Sequence, residues 1–423
     1  MNYKESLNWL YSFEKFGIKL GLERISYICK KLDNPQEKLK IIHVGGTNGK
    51  GTVCRLMGSI LSNSGYKVGI YTSPHLQRFS ERFLINENEI SKKEVIKLIE
   101  QIKPIIEDMT KKEDNPTFFE IVTAIAFQYF YEKSVDYAII EVGLGGRFDA
   151  TNIVNPEISI ITNVTLEHQN ILGKRVEDIA FEKAGIIKEK VHTITAATGE
   201  ALNIIRKKAK EKKSKLTIID KNSWKKTSGG VDWQEFLINC SLKEYNLKTS
   251  LIGNFQGENI AIALNSIEIL QMNGLYVTEE GIIEGIEKAL NPGRMEIIDF
   301  EPIILTDGAH NIAGINFLRK TLENDFIYEK LILVFGILSD KKIKEIIEII
   351  FPISDIIILT KSKNPRAFDP YKLKDMFKGK EIIVKEKISD AIIHAKKIAK
   401  KQDFICITGS LFTVGEAKDF LYK

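Results

Sequence analysis

A chain of 423 residues is long for a single core and predicts two or three domains. With 43% hydrophobic and 28% charged residues, its composition is that of an ordinary soluble globular protein. The net charge of +5 at pH 7 suits small anionic substrates, but it is too small to indicate a nucleic-acid partner.

The four cysteines are far apart and include no Cys-x-x-Cys pair, which excludes the usual zinc motifs and gives no sign of a disulfide framework. Cys54 and Cys406 lie in apolar runs and are predicted core residues. The first residues carry no signal-peptide core, and no apolar run approaches the ~18 residues of a membrane span. We therefore predict a cytoplasmic protein that does not contact a membrane.

Short β-branched runs alternate with longer helical patterns along nearly the whole chain. The predicted strands are 41–44, 68–72, 137–142, 158–163, 192–196, 303–307, 331–336, 356–360, 381–384 and 404–408. This alternation predicts parallel sheets covered by helices on both faces, with ligands bound where the strands end. Residues 215–252 have fewer helix signals and more alternation, which predicts a small antiparallel sheet.

The predicted domain boundary follows a helix over residues 278–290, which Pro292 and Gly293 terminate. Strand alternation restarts at Ile303, so we place a linker near residues 295–300. The predicted division is a large N-terminal domain, residues 1–297, and a C-terminal α/β domain, residues 298–423.

A glycine-rich segment, residues 45–52, directly follows the first predicted strand. Its glycines allow several N–H groups to face one anion, Lys50 adds a positive charge, and the next helix points its positive end at the same place. The usual P-loop pattern requires glycine at position 44 and Ser or Thr directly after the lysine, and this segment has neither. It predicts a nucleoside triphosphate site, with an ordinary strand-to-helix turn as the alternative.

Polar residues also follow the next two predicted strands. Ser73, His75 and Arg82 lie in a Ser-Pro turn that could place a hydroxyl near a metal and hold an anionic substrate, or could be a solvated loop. Glu141 ends a buried strand, where a carboxylate is costly unless it is paired or bound to a cation. Because glycines follow it and leave room for a ligand, Glu141 is a candidate Mg²⁺ ligand, with a structural salt bridge as the alternative.

Two side chains further along have unusual surroundings. His168 follows the strand predicted over 158–163, where a ligand is expected, although a single histidine is usually structural. Lys183 interrupts an apolar pattern, and such a lysine either pairs with a carboxylate or is chemically modified.

Later candidates lie at a helix start, at the domain junction and after C-terminal strands. Gln256 and Asn259 offer amides suited to an adenine edge or to helix capping. Arg294 could reach a phosphate across the cleft between the domains. Asp307 and Ser410 follow C-terminal strands, where a ligand between the domains would be bound.

With these segments in order, the chain resembles the folylpolyglutamate synthase/dihydrofolate synthase family, relatives of the Mur cell-wall ligases. The resemblance runs almost end to end and is carried by GTNGKGT (46–52), YTSPHL (71–76), SERF (80–83), TFFE (117–120), EVGLGGRFDATN (141–152), EKAGII (182–187), PGRME (292–296), DGAHN (307–311) and TGSLF (408–412). The first of these is shared with Mur-type ligases in general, whereas SPHL with ER and EVGLGGR with DATN are more specific. The glycine after Lys50 is the family's own form of the phosphate loop.

The resemblance implies roles for individual residues. The implied ATP-binding residues are Gly46, Thr47, Asn48, Gly49, Lys50, Gly51, Thr52, Gln256, Asn259, Arg294 and Asp307. Ser73 and Glu141 would bind one Mg²⁺ and His168 a second, and a monovalent cation such as K⁺ is a further candidate. The implied catalytic residues are Lys50, Lys183, His168 and Arg294, and Lys183 matches the lysine that is carbamylated in this family.

The same resemblance also implies which residues contact the substrates. The implied substrate residues are His75, Arg82, Phe119, Asp149, His310 and Ser410. Asp149 matches a position associated with the dihydropteroate site of bifunctional members, and Phe119 would flank the pterin pocket. His310 and Ser410 match positions near the incoming glutamate. Asn254 and Phe255 stand where many relatives have a histidine before the glutamine, so adenine packing is expected to differ in detail.

The implied reaction is ATP-dependent amide formation, in which a substrate carboxylate takes the γ-phosphate and the amine of L-glutamate then displaces phosphate. We predict both polyglutamylation of tetrahydrofolate and addition of the first glutamate to dihydropteroate, by a monomeric enzyme. The alternatives are a monofunctional folylpolyglutamate synthase and, less favoured, a Mur-type amino-acid ligase, which should carry a UDP-binding domain before the phosphate loop.

Two rivals come from other classes of protein. A P-loop NTPase that switches partners should carry a guanine-specifying Asn-Lys-x-Asp loop, and no strand end here is followed by one. A non-catalytic binding protein is disfavoured because Lys50, Glu141, His168 and Lys183 are all present.

Overall fold

Three sheets organise the computed structural model, which describes residues 1–377 and 379–422. The strands of the first sheet are β1 (Ile41–Gly45), β2 (Val68–Tyr71), β3 (Phe83–Ile85), β4 (Asn88–Glu89), β5 (Tyr137–Glu141), β6 (Ile158–Ile161), β7 (His192–Thr195) and β8 (Leu216–Ile218). The second sheet contains β9 (Trp224–Gly229), β10 (Gln234–Asn239) and β11 (Glu244–Thr249). The third contains β12 (Glu296–Phe300), β13 (Ile303–Asp307), β14 (Leu331–Phe335), β15 (Ile356–Leu359), β16 (Glu381–Val384) and β17 (Phe404–Thr408).

Helices cover the faces of these sheets. Those before β12 are α1 (Tyr3–Tyr11), α2 (Glu23–Lys31), α3 (Lys50–Asn63), α4 (Lys92–Lys111), α5 (Phe118–Glu132), α6 (Gln169–Leu172), α7 (Val176–Ala184), α8 (Gly199–Glu211), α9 (Gln256–Met272) and α10 (Glu279–Lys288). Those after it are α11 (Ile312–Asn324), α12 (Ile343–Ile350), α13 (Pro370–Asp375), α14 (Ile388–Ile398) and α15 (Leu411–Leu421). No helix in the described ranges is long and apolar enough to cross a membrane.

The first sheet has the order β4-β3-β2-β5-β1-β6-β7-β8, and β2 to β8 within that order run parallel. Its central strands are buried on both faces and therefore read as continuous apolar runs. In β1, Ile42 and Val44 face a core shared with α3 and α9, whereas Ile41 faces the core shared with the N-terminal helices. The core thus lies in two layers, one on each side of the sheet.

The third sheet has the order β12-β13-β17-β14-β15-β16, parallel except for the edge strand β12. Two α/β units and a small antiparallel sheet confirm the predicted fold class, and each of the ten predicted strands is present within a residue or two. Strands β3, β4, β8 and β12 were not predicted because they are short or lie at sheet edges, where neither burial nor alternation leaves a strong pattern.

The predicted linker near residues 295–300 is wrong, since residues 296–300 form β12 of the third sheet. The connection lies earlier, in the turn between α10 and β12. The division between residues 297 and 298 stays a prediction, and it falls inside that strand.

Candidate active site

The polar residues singled out in the first half of the chain meet at one edge of the first sheet. Val44 pairs with Glu141, Gly45 with Ile161 and Tyr71 with Ile140, so four neighbouring parallel strands end at the same level. Glu141 is the last residue of β5, and the loops that follow β1, β2 and β6 carry the glycine-rich segment, Ser73 and His168. This is the edge at which parallel α/β sheets bind ligands.

The glycine-rich segment forms a tight loop before α3. Gly46 and Gly49 have φ of +131° and +85°, and a Cβ at either position would collide with Thr162 or Asn259. The Lys50 Nζ folds back over the loop and donates to the carbonyl oxygens of Gly46 and Thr47, both at 3.1 Å. Because none of the side chains that the structure describes caps the start of α3, its first N–H groups are free to face an anion.

The loop that follows β6 is hydrogen-bonded to the glycine-rich loop before α3, which is called the phosphate loop below. The backbone N–H of Asn48 donates to Asn163 Oδ1 at 3.0 Å, and that of Thr47 donates to the Asn163 carbonyl at 2.8 Å. Thr162 Oγ1 donates to the Asn48 carbonyl at 2.7 Å. Sequence reasoning did not single out Thr162 or Asn163, although their place at the end of a predicted strand was a usable signal.

Lys183 on α7 reaches under the phosphate loop. Its Nζ donates to the Gly46 carbonyl and to Glu167 Oε1, both at 2.7 Å, and its side chain is 2% exposed. Burial lowers the pKa of Lys183 below its usual range, although Glu167 opposes that change. For Glu167 burial acts to raise the pKa, but Lys183 and Lys50 outweigh it and hold the pKa low. The lysine therefore pairs with a carboxylate, one of the two possibilities drawn from the sequence.

Glu141 is 5% exposed and accepts a hydrogen bond from the Ser73 N–H at 3.0 Å. Burial raises its pKa, against the opposing charges of Lys50 and Arg294. Within the described ranges it has no salt-bridge partner, so the carboxylate is desolvated without a direct counter-charge. Such a group suits a hard cation that takes oxygen ligands.

His168 adopts a left-handed backbone conformation and precedes α6. Burial lowers its pKa, with Glu167 opposing. Across the described residues, no three His, Cys, Asp or Glu side chains come together as a metal-ligand cluster. A metal here would therefore draw on Glu141 or His168 together with hydroxyls, waters or phosphate oxygens, a donor set that fits Mg²⁺.

The β2 loop holds His75 and Arg82 against each other. Arg82 Nε donates to His75 Nδ1 at 2.8 Å, which places the imidazole proton on Nε2, and the guanidinium lies 5.5 Å from the centre of the Phe118 ring. Burial and the Arg82 charge lower the pKa of His75 to about 3, so its ring is neutral. Phe119, next on α5, packs against Gly143 and Tyr71.

Asp149 organises the loop after β5. Its carboxylate accepts hydrogen bonds from the N–H groups of Leu144 and Thr151 and from Thr151 Oγ1, at 2.8, 3.0 and 2.5 Å. Since Thr151 gives its only proton to Asp149, His43 Nε2 must donate to Thr151 Oγ1 across their 2.9 Å contact. Sequence reasoning missed His43, whose place inside an apolar strand was a signal.

The amides at the start of α9 lie beside the phosphate loop. Asn259 Nδ2 donates to Gln256 Oε1 at 2.8 Å, and both side chains are buried. Gln256 is the first residue of α9, so both amides lie in its first turn.

The C-terminal unit brings its polar residues to the same place. Asp307 accepts from the N–H groups of Met295 and Ala309, and His310 Nδ1 lies 2.8 Å from the Gly308 carbonyl. Burial, together with the charge of Arg294, lowers the pKa of His310 to about 4. Ser410 caps α15 through a hydrogen bond from the Phe412 N–H.

Two amide hydrogen bonds, neither predicted, join the phosphate loop to the C-terminal part of the chain. Asn311 Nδ2 donates to Asn48 Oδ1 at 3.2 Å, and Asn291 Nδ2 donates to Thr52 Oγ1 at 2.7 Å.

Comparison with known proteins tests the predicted family. The Mur ligase middle domain matches residues 44–267, and the Mur ligase glutamate ligase domain matches residues 293–411. The chain is 36% identical to the dihydrofolate synthase/folylpolyglutamate synthase of Bacillus subtilis, over 98% of both chains. It belongs to the folylpolyglutamate synthase/dihydrofolate synthase family of Mur ligases.

Solved structures of this family share the whole fold. The folylpolyglutamate synthase of Thermotoga maritima has a TM-score of 0.87 and 39% identity, over 100% of this chain and 97% of the other. E. coli FolC in complex with DHPP and ADP has a TM-score of 0.88 and 30% identity, over 100% and 98%. Membership makes the chain an ATP-dependent ligase, and a partner-switching NTPase or a non-catalytic binding protein no longer fits.

Proposed function

We propose that this ligase adds L-glutamate to reduced folates and to dihydropteroate through an acyl phosphate. The observation that carries the proposal is Glu141, a buried carboxylate without a salt-bridge partner in the described ranges, at the strand end beside Lys50 and within the field of Arg294. A desolvated carboxylate that feels the charges of Lys50 and Arg294 at the end of a parallel strand suits a cation-assisted phosphoryl transfer.

The proposed roles begin with the nucleotide. The backbone from Gly46 to Thr52 and the Lys50 ammonium would hold the phosphates, with Gln256 and Asn259 on the nucleotide side and Arg294 and Asp307 from the C-terminal unit. Ser73 and Glu141 would hold one Mg²⁺ and His168 a second, and bound Mg²⁺ would neutralise charge on the transferring phosphoryl group. Lys50 and Arg294 would hold the phosphate oxygens while the substrate carboxylate forms its bond to the γ-phosphorus and ADP leaves.

The second half of the reaction joins the amino acid. The amine of L-glutamate attacks the acyl carbon, phosphate leaves and the amine loses its proton as the amide forms. His310 and Ser410, at strand ends of the third sheet, are proposed to position that glutamate. His75, Arg82 and Phe119 are proposed to line the pterin side.

Carbamylation of Lys183 remains a prediction. Its lowered pKa increases the fraction of neutral amine, which could bond to CO₂ with release of a proton. The modification would require Nζ to leave Glu167 and the Gly46 carbonyl. A bound K⁺, a monomeric state and a cytoplasmic location also stay predictions.

Use of dihydropteroate is supported by the loop that Asp149 organises and by the name of the Bacillus subtilis relative. An Asp149→Asn variant replaces one acceptor oxygen with a donor amide among loop N–H groups, so it should lose activity on dihydropteroate more than on tetrahydrofolate.

The test is a substrate panel on the purified enzyme with ATP, Mg²⁺ and L-glutamate, in which ADP release and the glutamylated product are both measured. Dihydropteroate and tetrahydrofolate should each support glutamate-dependent turnover. Turnover on tetrahydrofolate alone would identify a monofunctional folylpolyglutamate synthase. ADP release that is independent of both glutamate and folate would contradict the ligase assignment.

A further inference from the structure

The connection between α10 and the third sheet is a tight turn. Residues Asn291 to Arg294 close with a 3.1 Å hydrogen bond from the Arg294 N–H to the Asn291 carbonyl. Pro292 fixes its own φ, and Gly293 has a φ of +72°, as a type II turn requires. The turn therefore presents Arg294 from a rigid backbone.

The third sheet holds this turn firmly. The Gly293 carbonyl accepts from the Gly308 N–H at 2.9 Å, and the Gly293 N–H donates to Glu296 Oε2 at 2.6 Å. Lys418 on α15 is buried and pairs with the same Glu296 carboxylate at 2.6 Å. Any movement of the C-terminal unit would therefore carry the turn, and Arg294 with it.

One side chain of the turn reaches the phosphate loop. Asn291 Nδ2 donates to Thr52 Oγ1 at 2.7 Å, in the first turn of α3 and two residues after Lys50. An amide nitrogen only donates, so Thr52 accepts this bond and keeps its own proton and a lone pair for a phosphate or a cation. The contact thus fixes the position of the turn against the first turn of α3.

Arg294 is oriented by this turn but otherwise uncommitted. In the described part of the chain it has no side-chain hydrogen bond or ion pair. The turn that carries it is bonded to Thr52 of α3 on one side and to Gly308, just after β13, on the other. Arg294 therefore leaves the backbone between the two sheets, where a phosphate would be bound.

We infer that Asn291 is a positioning residue that fixes the Arg294 turn on the phosphate loop through Thr52. It acts through Arg294 and not on the substrates themselves. The inference rests on the phosphate role proposed above for Arg294. Without the bond to Thr52, the turn would keep its hydrogen bonds to the third sheet and its apolar contact with Leu76, but it would lose its hydrogen bond to α3. Arg294 would then be held less firmly beside the phosphate loop.

The experiment is a double-mutant cycle on the full-length enzyme with Asn291→Ala, Arg294→Ala and the double variant. Asn239→Ala is the matched control, because the exposed Asn239 also donates one 2.8 Å amide hydrogen bond, to the Asn222 carbonyl in the small sheet. Glutamate-dependent ADP release gives kcat and the KM for each substrate, and urea unfolding gives the stability of each variant.

Asn291→Ala should lower kcat about 3- to 10-fold, the effect of one hydrogen bond, and raise the KM for ATP. The KM values for tetrahydrofolate and glutamate should not change, and Asn239→Ala should match wild type. When Arg294 is already alanine, Asn291→Ala should lower kcat less than about twofold further, because the residue through which Asn291 acts is absent.

Full additivity of the two losses would overturn the inference, and so would an Asn291→Ala enzyme with the kinetics of the control. If Asn291→Ala does not fold, Asn291→Asp serves as the second variant. The aspartate has the size of asparagine, but its carboxylate can only accept a hydrogen bond from the Thr52 hydroxyl. It would also place a negative charge beside the phosphates. An unchanged KM for ATP in this variant would overturn the inference. A wild-type enzyme without glutamate-dependent turnover would instead overturn the proposed function.

Discussion

Lys183 Nζ lies 2.7 Å from Glu167 Oε1 and 2.7 Å from the carbonyl oxygen of Gly46, so one buried ion pair also holds the first residue of the phosphate loop. The loop is therefore built on a charge pair inside the protein. Removing one partner of such a pair leaves the other charge buried and uncompensated.

Lys183→Met should lower the free energy of unfolding by about 3–5 kcal/mol, because Glu167, whose side chain is 12% exposed, would lose its direct partner. Urea unfolding measures the change. Lys288→Met is the matched control, since Lys288 pairs with Glu284 on the exposed surface of α10, where such a pair contributes about 0–1 kcal/mol. Adding Glu167→Gln to Lys183→Met should recover part of the loss, and a double variant less stable than Lys183→Met would contradict the pairing.

Lys50→Ala should reduce kcat/KM at least ~10²-fold, since the loop would lose its only side-chain charge on the transferring phosphate. Stability should fall little, because among the described residues Lys50 donates hydrogen bonds only to carbonyls of its own loop. Glutamate-dependent ADP release and urea unfolding separate the two effects. Lys210→Ala, an exposed lysine of α8, is the control. Wild-type turnover in Lys50→Ala would remove the phosphate role.

Glu141→Gln should abolish most turnover without lowering stability. The carboxylate of Glu141 is desolvated by burial, which raises its pKa. A neutral amide of the same shape does not pay this desolvation cost. Unfolding measured without nucleotide or Mg²⁺ should show equal or greater stability than wild type, while kcat falls at least ~10²-fold. A strongly destabilised Glu141→Gln protein would indicate a structural role instead.

Stability should fall as the pH drops below about 6.5, the usual pKa of histidine. Burial, together with nearby Lys188, lowers the pKa of His43 to about 3 in the folded protein, so between these values the unfolded chain binds the extra proton. The stabilisation is present above pH 6.5 and is lost towards pH 3, at up to about 1.4 kcal/mol per pH unit for one proton.

Unfolding of wild type and His43→Gln from pH 7 to pH 4 tests this dependence. Gln keeps a donor near Nε2 for Thr151 but does not titrate. The free energy of unfolding of His43→Gln should depend less steeply on pH, by up to about 1.4 kcal/mol per pH unit, the effect of one proton. His75 and His310, whose pKa values are also lowered by burial, keep their share of the slope in both proteins. Identical slopes would exclude His43.

The sequence by itself determined ten of the strands and the family. Buried parallel strands are continuous apolar runs, so ten of them could be located, and the edge at which Gly46, Ser73 and Glu141 meet followed from their place after those strands. Lys183 was expected to pair with a carboxylate or be modified because burial of a lone ammonium is too costly.

The tertiary structure alone decided which groups meet across long separations in the chain. Nothing in local pattern names Glu167 as the partner of Lys183, or Asn291 as the partner of Thr52, 239 positions away. Hydrogen bonds depend on atoms within about 3 Å, and that proximity is set by how sheets and helices pack, not by any periodicity in the sequence. Packing also explains why residues 296–300, predicted as a linker, form an edge strand of the third sheet. It likewise places the turn that carries Arg294 between the two sheets.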